Sequence, residues 1–434
     1  MSICSQSRRD FLRRAIAAGI SVPLAENACL SRAESTRPDS KSPNEKLDIA
    51  VIGVDGRGKA NLDGVANENI IALCDIDDER LHFAAKQFPH AKLFKDYRQL
   101  LDSTKLDALV VSTPDHTHAI PVVSALQLGL DVYCEKPLAH SVWEVRQMRD
   151  WAKKQGSVTQ MGTQIHATDN YRRVVELIQA GAIGKVDRVH IWHPNSSKPG
   201  KRSPSGTPPA HIDYDLWIGP APLRPFDLSH FHFNWRYWWD FGGGTLADLG
   251  CHYIDLPYWA LKLGNPESIR AQGEKTYIGD NEVPDNLRVD YQFPARDNLS
   301  SVHLTWYHGT LRPEGSEEYE KNAAVLFEGT QGRLLADYST LRIYSEQDGV
   351  IATPVEPIPA SIGHHQEWIE ACKMRGETTC NFDYSGALAE TVLLGNVAYR
   401  VGQELQWEHQ SLQATNCPEA EQYIRREYRQ GWEL

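Results

Sequence analysis

The chain has 434 residues, 41% hydrophobic and 24% charged, an ordinary globular composition with length for about two to three domains. Its formal net charge of −12 removes the basic field that nucleic acid or an anionic membrane surface requires. Eight cysteines occur without a CxxC pair, which argues against a zinc ribbon or a dense disulfide framework.

In chain order, Ser7-Arg8-Arg9-Asp10-Phe11-Leu12-Arg13 resembles a twin-arginine export signal. The apolar run Ala15–Ala25 is too short to span a bilayer, so no stable membrane insertion is expected once the leader is cleaved between Ala25 and Ala33. A basic amphipathic helix is the plainer alternative. The expected layout is a signal peptide over 1–33, a polar linker over 34–46, a dinucleotide-binding domain over 47–162 and a C-terminal domain over 163–434. The destination this predicts is the periplasm.

Leu47–Val54 is a β-branched apolar run, which predicts a buried parallel strand. Gly53, Gly56 and Gly58 follow it. Gly53 and Gly58 match the first and third glycines of G-x-G-x-x-G, while Asp55 stands where the second belongs. Arg57 is positioned to offset the Asp55 charge. The next strand, "NIIALCDID", ends in Asp75, 22 residues after Gly53. An acid there accepts from the adenosine ribose hydroxyls and repels a 2′-phosphate, so NAD is favoured over NADP. Strand and helix patterns then alternate through "LDALVVSTP", "HAIPVVSALQLG", "LDVYCEKP" and "SVWEVRQMRDWAKKQG". This is a doubly wound α/β Rossmann sheet, with ligand expected at the carboxyl ends of its strands. Thr113, Pro114, His116 and His118 fall at one such end, Glu135 and Lys136 at another; all six are expected to contact the cofactor. His116/His118 and His364/His365 lack a third ligand at useful spacing, so no metal is expected.

Beyond Glu135-Lys136-Pro137 the motifs "EKPLAHSVWE", "MGTQIHATDNYRRVVELIQAGAIGKV", "DLWIGPAPLRPF", "WDFGGGTLADLGCHYIDLPYWAL" and "IRREYRQGWEL" occur in order. With "TPDHTH" they make the chain resemble the glucose–fructose oxidoreductase/inositol dehydrogenase (Gfo/Idh/MocA) family, in its exported, twin-arginine-bearing subgroup. The resemblance implies a second α/β domain on a large open, mostly antiparallel sheet, and a homo-oligomer, dimer or tetramer. It also implies a catalytic set of Lys136, Asp248 and His252. Asp248 and His252 lie four apart, on one helix face. His252 suits a proton acceptor, Lys136 a donor to developing alkoxide charge, and Asp248 an orienting group for substrate or His252. Gly242–Gly244 would let backbone approach a ligand. Gln164, Trp235 and Arg236 join Asp248 and His252 as expected substrate contacts; the aromatic run 230–241 offers faces for sugar C–H groups. The implied activity is NAD-dependent oxidoreduction of a sugar, polyol or related hydroxyl compound, with the dinucleotide bound before export. Two other readings are redox-neutral, NAD-dependent glycoside hydrolysis and non-catalytic ligand binding.

Overall fold

The structure, a computed structural model, describes residues 41–42, 44–195, 200–203, 206–345 and 357–434. The expected signal peptide and most of the linker lie outside the described residues. Lys41, near the linker's end, is tied to the first domain: its N–H donates to the Lys373 carbonyl at 2.9 Å and its ammonium to Asp107.

Six parallel strands form the first sheet: β1 (Asp48–Ile52), β2 (Asn69–Cys74), β3 (Lys92–Phe94), β4 (Ala108–Val111), β5 (Asp131–Cys134) and β6 (Thr159–Met161), in the order 3-2-1-4-5-6. β4 and β5 are buried along their whole length and β1 all but its first residue, because the parallel sheet is covered on both faces. The covering helices are α1 (Arg57–Gly64), α2 (Asp78–Ala85), α3 (Tyr97–Ser103), α4 (Ala119–Gln127) and α5 (Val142–Gln155). α5 opens with a Ser141/Glu144 capping box and stops at Gly156 in the left-handed region.

The second half is a nine-stranded sheet. Its strands are β7 (Val186–His193), β8 (Ser268–Glu274), β9 (Asn286–Phe293), β10 (Val302–His308), β11 (Ala324–Gly329), β12 (Gly332–Ala336), β13 (Leu341–Ser345), β14 (Leu405–Glu408) and β15 (Gln413–Ala414). They run in the order 13-12-11-7-10-9-8-14-15, and only the β7–β10 pair is parallel. The mostly antiparallel sheet is thus present. Val189, Ile191, Leu304 and Trp306 face a core made with α6 (Asp169–Gln179), α8 (Gly244–Ala260) and α10 (Phe382–Val401). Arg188, His190, Asp290 and His303 occupy alternate positions on the other face, which also buries Trp192, Tyr307, Leu326 and Leu335 against Tyr319. The short α7 (Tyr214–Ile218) lies in the connection between β7 and α8.

Late chain returns to the first sheet. On α9 (His364–Met374), Trp368, Ile369 and Cys372 pack with Ile49, Val51 and Val110. The final α11 (Glu421–Ile424) leads into the C-terminal segment. The six described cysteines are all buried and unpaired, and among the described residues no helix is long and apolar enough to cross a membrane.

Glu390 on α10 joins the halves. Its side chain is 1% exposed and accepts from Arg146 at 2.9 Å and Arg149 at 3.0 Å, both on α5. Removing one member of a buried ionic network strands the others. Glu390→Ala is expected to cost about 3–5 kcal/mol, read as a lowered urea midpoint; a loss below ~1 kcal/mol would contradict this role for the network.

Candidate functional site

A cavity of about 690 Å³ runs along the carboxyl ends of the first sheet and is closed by α8 and residues 232–236. Its floor is the loop after β1. Gly53 has φ 80°, and a Cβ there would lie 2.6 Å from the Ser112 carbonyl oxygen. A Cβ on Gly58 would lie 2.0 Å from the Gly53 oxygen, so Gly58 is needed for packing and does not line the cavity. Gly56 (φ 57°) precedes α1, whose N-terminus has no side-chain cap. Uncapped N–H groups at a glycine loop are a ready site for a pyrophosphate. Thr113, lining the same cavity, carries a buried hydroxyl without a protein partner. These features fit a dinucleotide.

Asp55 occupies the second glycine's position because its charge is paired: Arg80 donates to it at 2.8 Å. The sequence reading gave that task to Arg57, which instead donates to Glu135 Oε1 at 3.1 Å. Arg80 comes from the next βα unit, out of reach of local pattern. Asp75 lines the cavity. Its oxygens accept the N–H groups of Val54 and Asp77, each at 3.0 Å, which ties the glycine loop to the end of β2. Burial pushes its carboxyl up, against those bonds and the nearby Arg80.

At the β5 end stand the groups expected to be catalytic. Lys136 Nζ donates to Asp248 Oδ1 at 2.6 Å and also to the Asp248 backbone carbonyl. Arg236 Nε donates to the same Oδ1 at 3.1 Å. Burial alone would raise the Asp248 carboxyl, but these two cations hold it well below the usual carboxylate range. One helical turn on, His252 also lines the cavity. Burial, assisted by the Lys136 charge, lowers its imidazole to about 3, so the ring is neutral, and its Nδ1 is buried without a protein partner. Asp248 is committed to Lys136 and Arg236 and shares no hydrogen bond with His252, so of its two expected tasks only the one toward substrate fits. Trp235 lines the cavity, and the Arg236 guanidinium lies 4.3 Å from both the Trp235 and Phe233 ring centroids. Gln164 donates to Tyr133 Oη at 2.8 Å and Glu135 Oε1 at 2.9 Å, at the cavity wall.

Two expectations are corrected by placement. His116 and His118 are fully buried behind the cavity wall. His116 packs against Trp217 and Phe241 and donates to the Trp217 carbonyl at 2.8 Å, while His118 braces the loop by donating to the Thr113 carbonyl at 2.7 Å. Gly242–Gly244 do not line the cavity: side chains there would strike Arg236, Asn396 and Val283, so close packing demands these glycines. His364 and His365 face Met161 and Asn61. Among the described residues, one group of metal-ligating types is close-set, His166, Asp255 and Cys380; there His166 and Asp255 are hydrogen-bonded to each other at 2.9 Å and Tyr384 donates to Asp255 at 2.7 Å.

Asp115, within Thr113–His118, carries no sequence signal that marks it as a site residue. Asp115 lines the cavity and is 6% exposed. Burial pushes its carboxyl up to about 7, opposed by Arg236 and Lys136 and reinforced by Asp248. Sequence pattern also misses Arg80, Lys95, His232 and Trp432, which line the cavity from four separate segments.

Two family models match this architecture: an oxidoreductase-family NAD-binding Rossmann fold over residues 47–163, and an oxidoreductase-family C-terminal alpha/beta domain over 192–434. The chain belongs to the Gfo/Idh/MocA oxidoreductase family. Inositol 2-dehydrogenase of Rubrobacter xylanophilus is 28% identical over 166 residues, 37% of this chain and 48% of that protein. The putative oxidoreductase YteT of Bacillus subtilis is 28% identical over 217 residues, 48% and 44% of the two chains. The chain thus spans about half the length of these curated relatives. Among solved structures, the WlbA dehydrogenase from Bordetella pertussis, in complex with NADH and UDP-GlcNAcA, has TM-score 0.63 at 18% identity, covering 84% of this chain and 99% of that one. A levoglucosan dehydrogenase in complex with NADH and L-sorbose has TM-score 0.59 at 19% identity, covering 83% and 98%. At these identities the structures share the fold.

The raised Asp115 carboxyl has a consequence for stability. Its folded value of about 7 lies above an unfolded value near 3.9. Its contribution is therefore full below pH ~4 and is lost as pH rises toward 7. Asp115→Asn is expected to remove this loss. The stability difference between variant and wild type, from urea unfolding, should move toward the variant by on the order of a few kcal/mol between pH 4.5 and 7.5. A difference constant over that range would contradict the buried, raised carboxyl.

Proposed function

We propose that the protein is an NAD-dependent oxidoreductase acting on a secondary hydroxyl of a sugar, polyol or related compound. The observation that carries this is one continuous cavity joining the glycine loop at Gly53–Gly58 to Lys136, Asp248, Arg236 and His252. When bound, the nicotinamide supplies the hydride acceptor. His252, neutral and lining the cavity, takes the hydroxyl proton. Lys136 donates to the same oxygen as its charge develops. Asp248 keeps Lys136 in place and, through its second oxygen, accepts from a neighbouring substrate hydroxyl. Arg236 and Trp235 set the wall against which a ring packs.

The preference for NAD over NADP is supported by Asp75, which lines the cavity at the end of β2, where an acid would accept from the adenosine ribose. The nearby cations are already neutralised, Arg80 by Asp55 and Asp77 and Lys95 by Asp78. The Arg8-Arg9 signal supports export of the folded protein with its dinucleotide already inside, and periplasmic action on a retained cofactor. The charged stretch of the sheet's other face, around Arg188, Asp290 and His303, supports a homo-oligomer.

The test is a panel of sugars, polyols and aryl glycosides, with and without added NAD. Wild type should convert a polyol or sugar; His252→Ala and Lys136→Ala should each lose about 10²–10⁴-fold in turnover while binding NADH as wild type does. Turnover within about threefold of wild type in either variant would remove that residue from the chemistry. Cleavage of glycosides without net NAD reduction would replace the proposed reaction by the redox-neutral one.

A further inference from the structure

A late segment of the sequence reaches the cavity wall. Trp432 lines the cavity together with Tyr97, Thr117, Pro121 and Pro220. The segment that brings it there is firmly built. Arg426 Nε donates to Glu144 Oε1 at 2.8 Å, and its Nη2 to the His116 carbonyl at 2.6 Å. Tyr428 Oη donates to Glu144 at 2.6 Å, and that carboxylate is fully buried at the start of α5. Arg429 Nε donates to the Gly219 carbonyl at 2.9 Å, and the Arg429 N–H to the Pro220 carbonyl at 3.1 Å. The segment is thus pinned to the first domain at α5 and to the second at residues 215–220.

Sheet order fixes which end of the cavity this is. Lys136 follows β5, whereas Arg98, whose guanidinium lies 4.8 Å from the Trp432 ring centroid, begins α3 just after β3. Four strand steps separate β5 from β3 in the order 3-2-1-4-5-6, on the order of 19 Å at about 4.8 Å per step. A ligand reacting at Lys136 must be extended to reach Trp432, and between them lie Asp75 and the glycine loop. The surroundings of Trp432 are neutralised: Arg98 pairs with Asp96 and Arg429 with Asp215. Arg98 and Arg429 both lie over the Trp432 ring, at 4.8 and 5.4 Å from its centroid, and the residue is 8% exposed, so what meets the cavity is an aromatic edge without free charge, which suits a flat base and not a phosphate.

We infer that the segment Arg425–Leu434 is a working wall of the dinucleotide site, with Trp432 as the aromatic side chain against which the purine of the cofactor packs. This rests on the dinucleotide reading of the cavity and not on the identity of the sugar. Because both domains hold the segment, a bound purine leaves only when the segment shifts, which slows release.

The purified full chain is titrated with NADH, ADP-ribose and reduced nicotinamide mononucleotide. Trp432→Ala is expected to weaken NADH and ADP-ribose by the same factor, roughly 5- to 150-fold, the range for losing one base–aromatic stack. Trp432→Phe should restore most of it, and the mononucleotide, which has no purine, should bind all three proteins equally. In wild type, residues 425–434 should gain hydrogen-exchange protection with ADP-ribose and none with the mononucleotide; this arm decides the matter should Trp432→Ala fail to fold. Undiminished ADP-ribose and NADH affinity in Trp432→Ala, absent ADP-ribose binding, or a segment that ADP-ribose leaves unprotected would each overturn the inference. Trp432-dependent ADP-ribose binding in a protein that converts no sugar would uphold it while the proposed reaction fails.

Discussion

Lys136 and Asp248 meet 2.6 Å apart across the line between the two halves of the chain. Lys136 hangs from the end of β5, in the NAD-binding domain; Asp248 sits in the first turns of α8, in the C-terminal domain. A buried ion pair of this kind is weak evidence for stability, because desolvation offsets most of its attraction. Its weight lies in what it does to its neighbours. With Arg236 it keeps Asp248 ionised in a place where burial alone would protonate it. The same ammonium helps to keep His252 neutral. It also pulls on Asp115, though not enough to undo the effect of burial. One cavity thus holds an ionised carboxylate, a carboxyl that titrates near neutrality and an uncharged imidazole. Proton-transfer chemistry uses groups whose surroundings push their protonation apart in this way.

The rest of the architecture serves that meeting. The parallel sheet presents its strand ends as a row of loops, the usual place for a ligand in an open α/β fold. The second domain lays α8 and the 232–236 segment over that row. The aromatic run before α8 is divided between two duties. Trp238 and Phe241 join Trp217 and Ile218 in a small core. His232, Phe233 and Trp235 turn toward the cavity. The buried packing fixes the segment, and the fixed segment positions Arg236 over Asp248.

Sequence pattern was most legible where one local constraint acts alone. Long β-branched runs revealed β1, β2, β4 and β5, and i,i+4 spacing put Asp248 and His252 on one face. β3 and β6 have three residues each, too few for a period to register. The misplaced assignments share a different cause: each depended on a distant partner. His116 bonds across 101 positions to Trp217, and Asp55 is neutralised from the following βα unit. Gly243 and Gly244, at the start of α8, are required by Asn396 and Val283, which no local motif contains. Asp115 escaped notice because an acid after Thr-Pro reads as a turn residue; only the closing of α8 and Arg236 over it makes it a buried, titrating group.

The central claim, that the domain-crossing pair and its burial set His252 neutral and ready to accept a proton, is open to direct measurement without any substrate. Imidazole 15N chemical shifts of the full chain, with His252 identified by its disappearance in His252→Asn, report the protonation of that ring from pH 5 to 8. The account predicts no titration of His252 across this range. A midpoint near the ordinary 6.5 would contradict it.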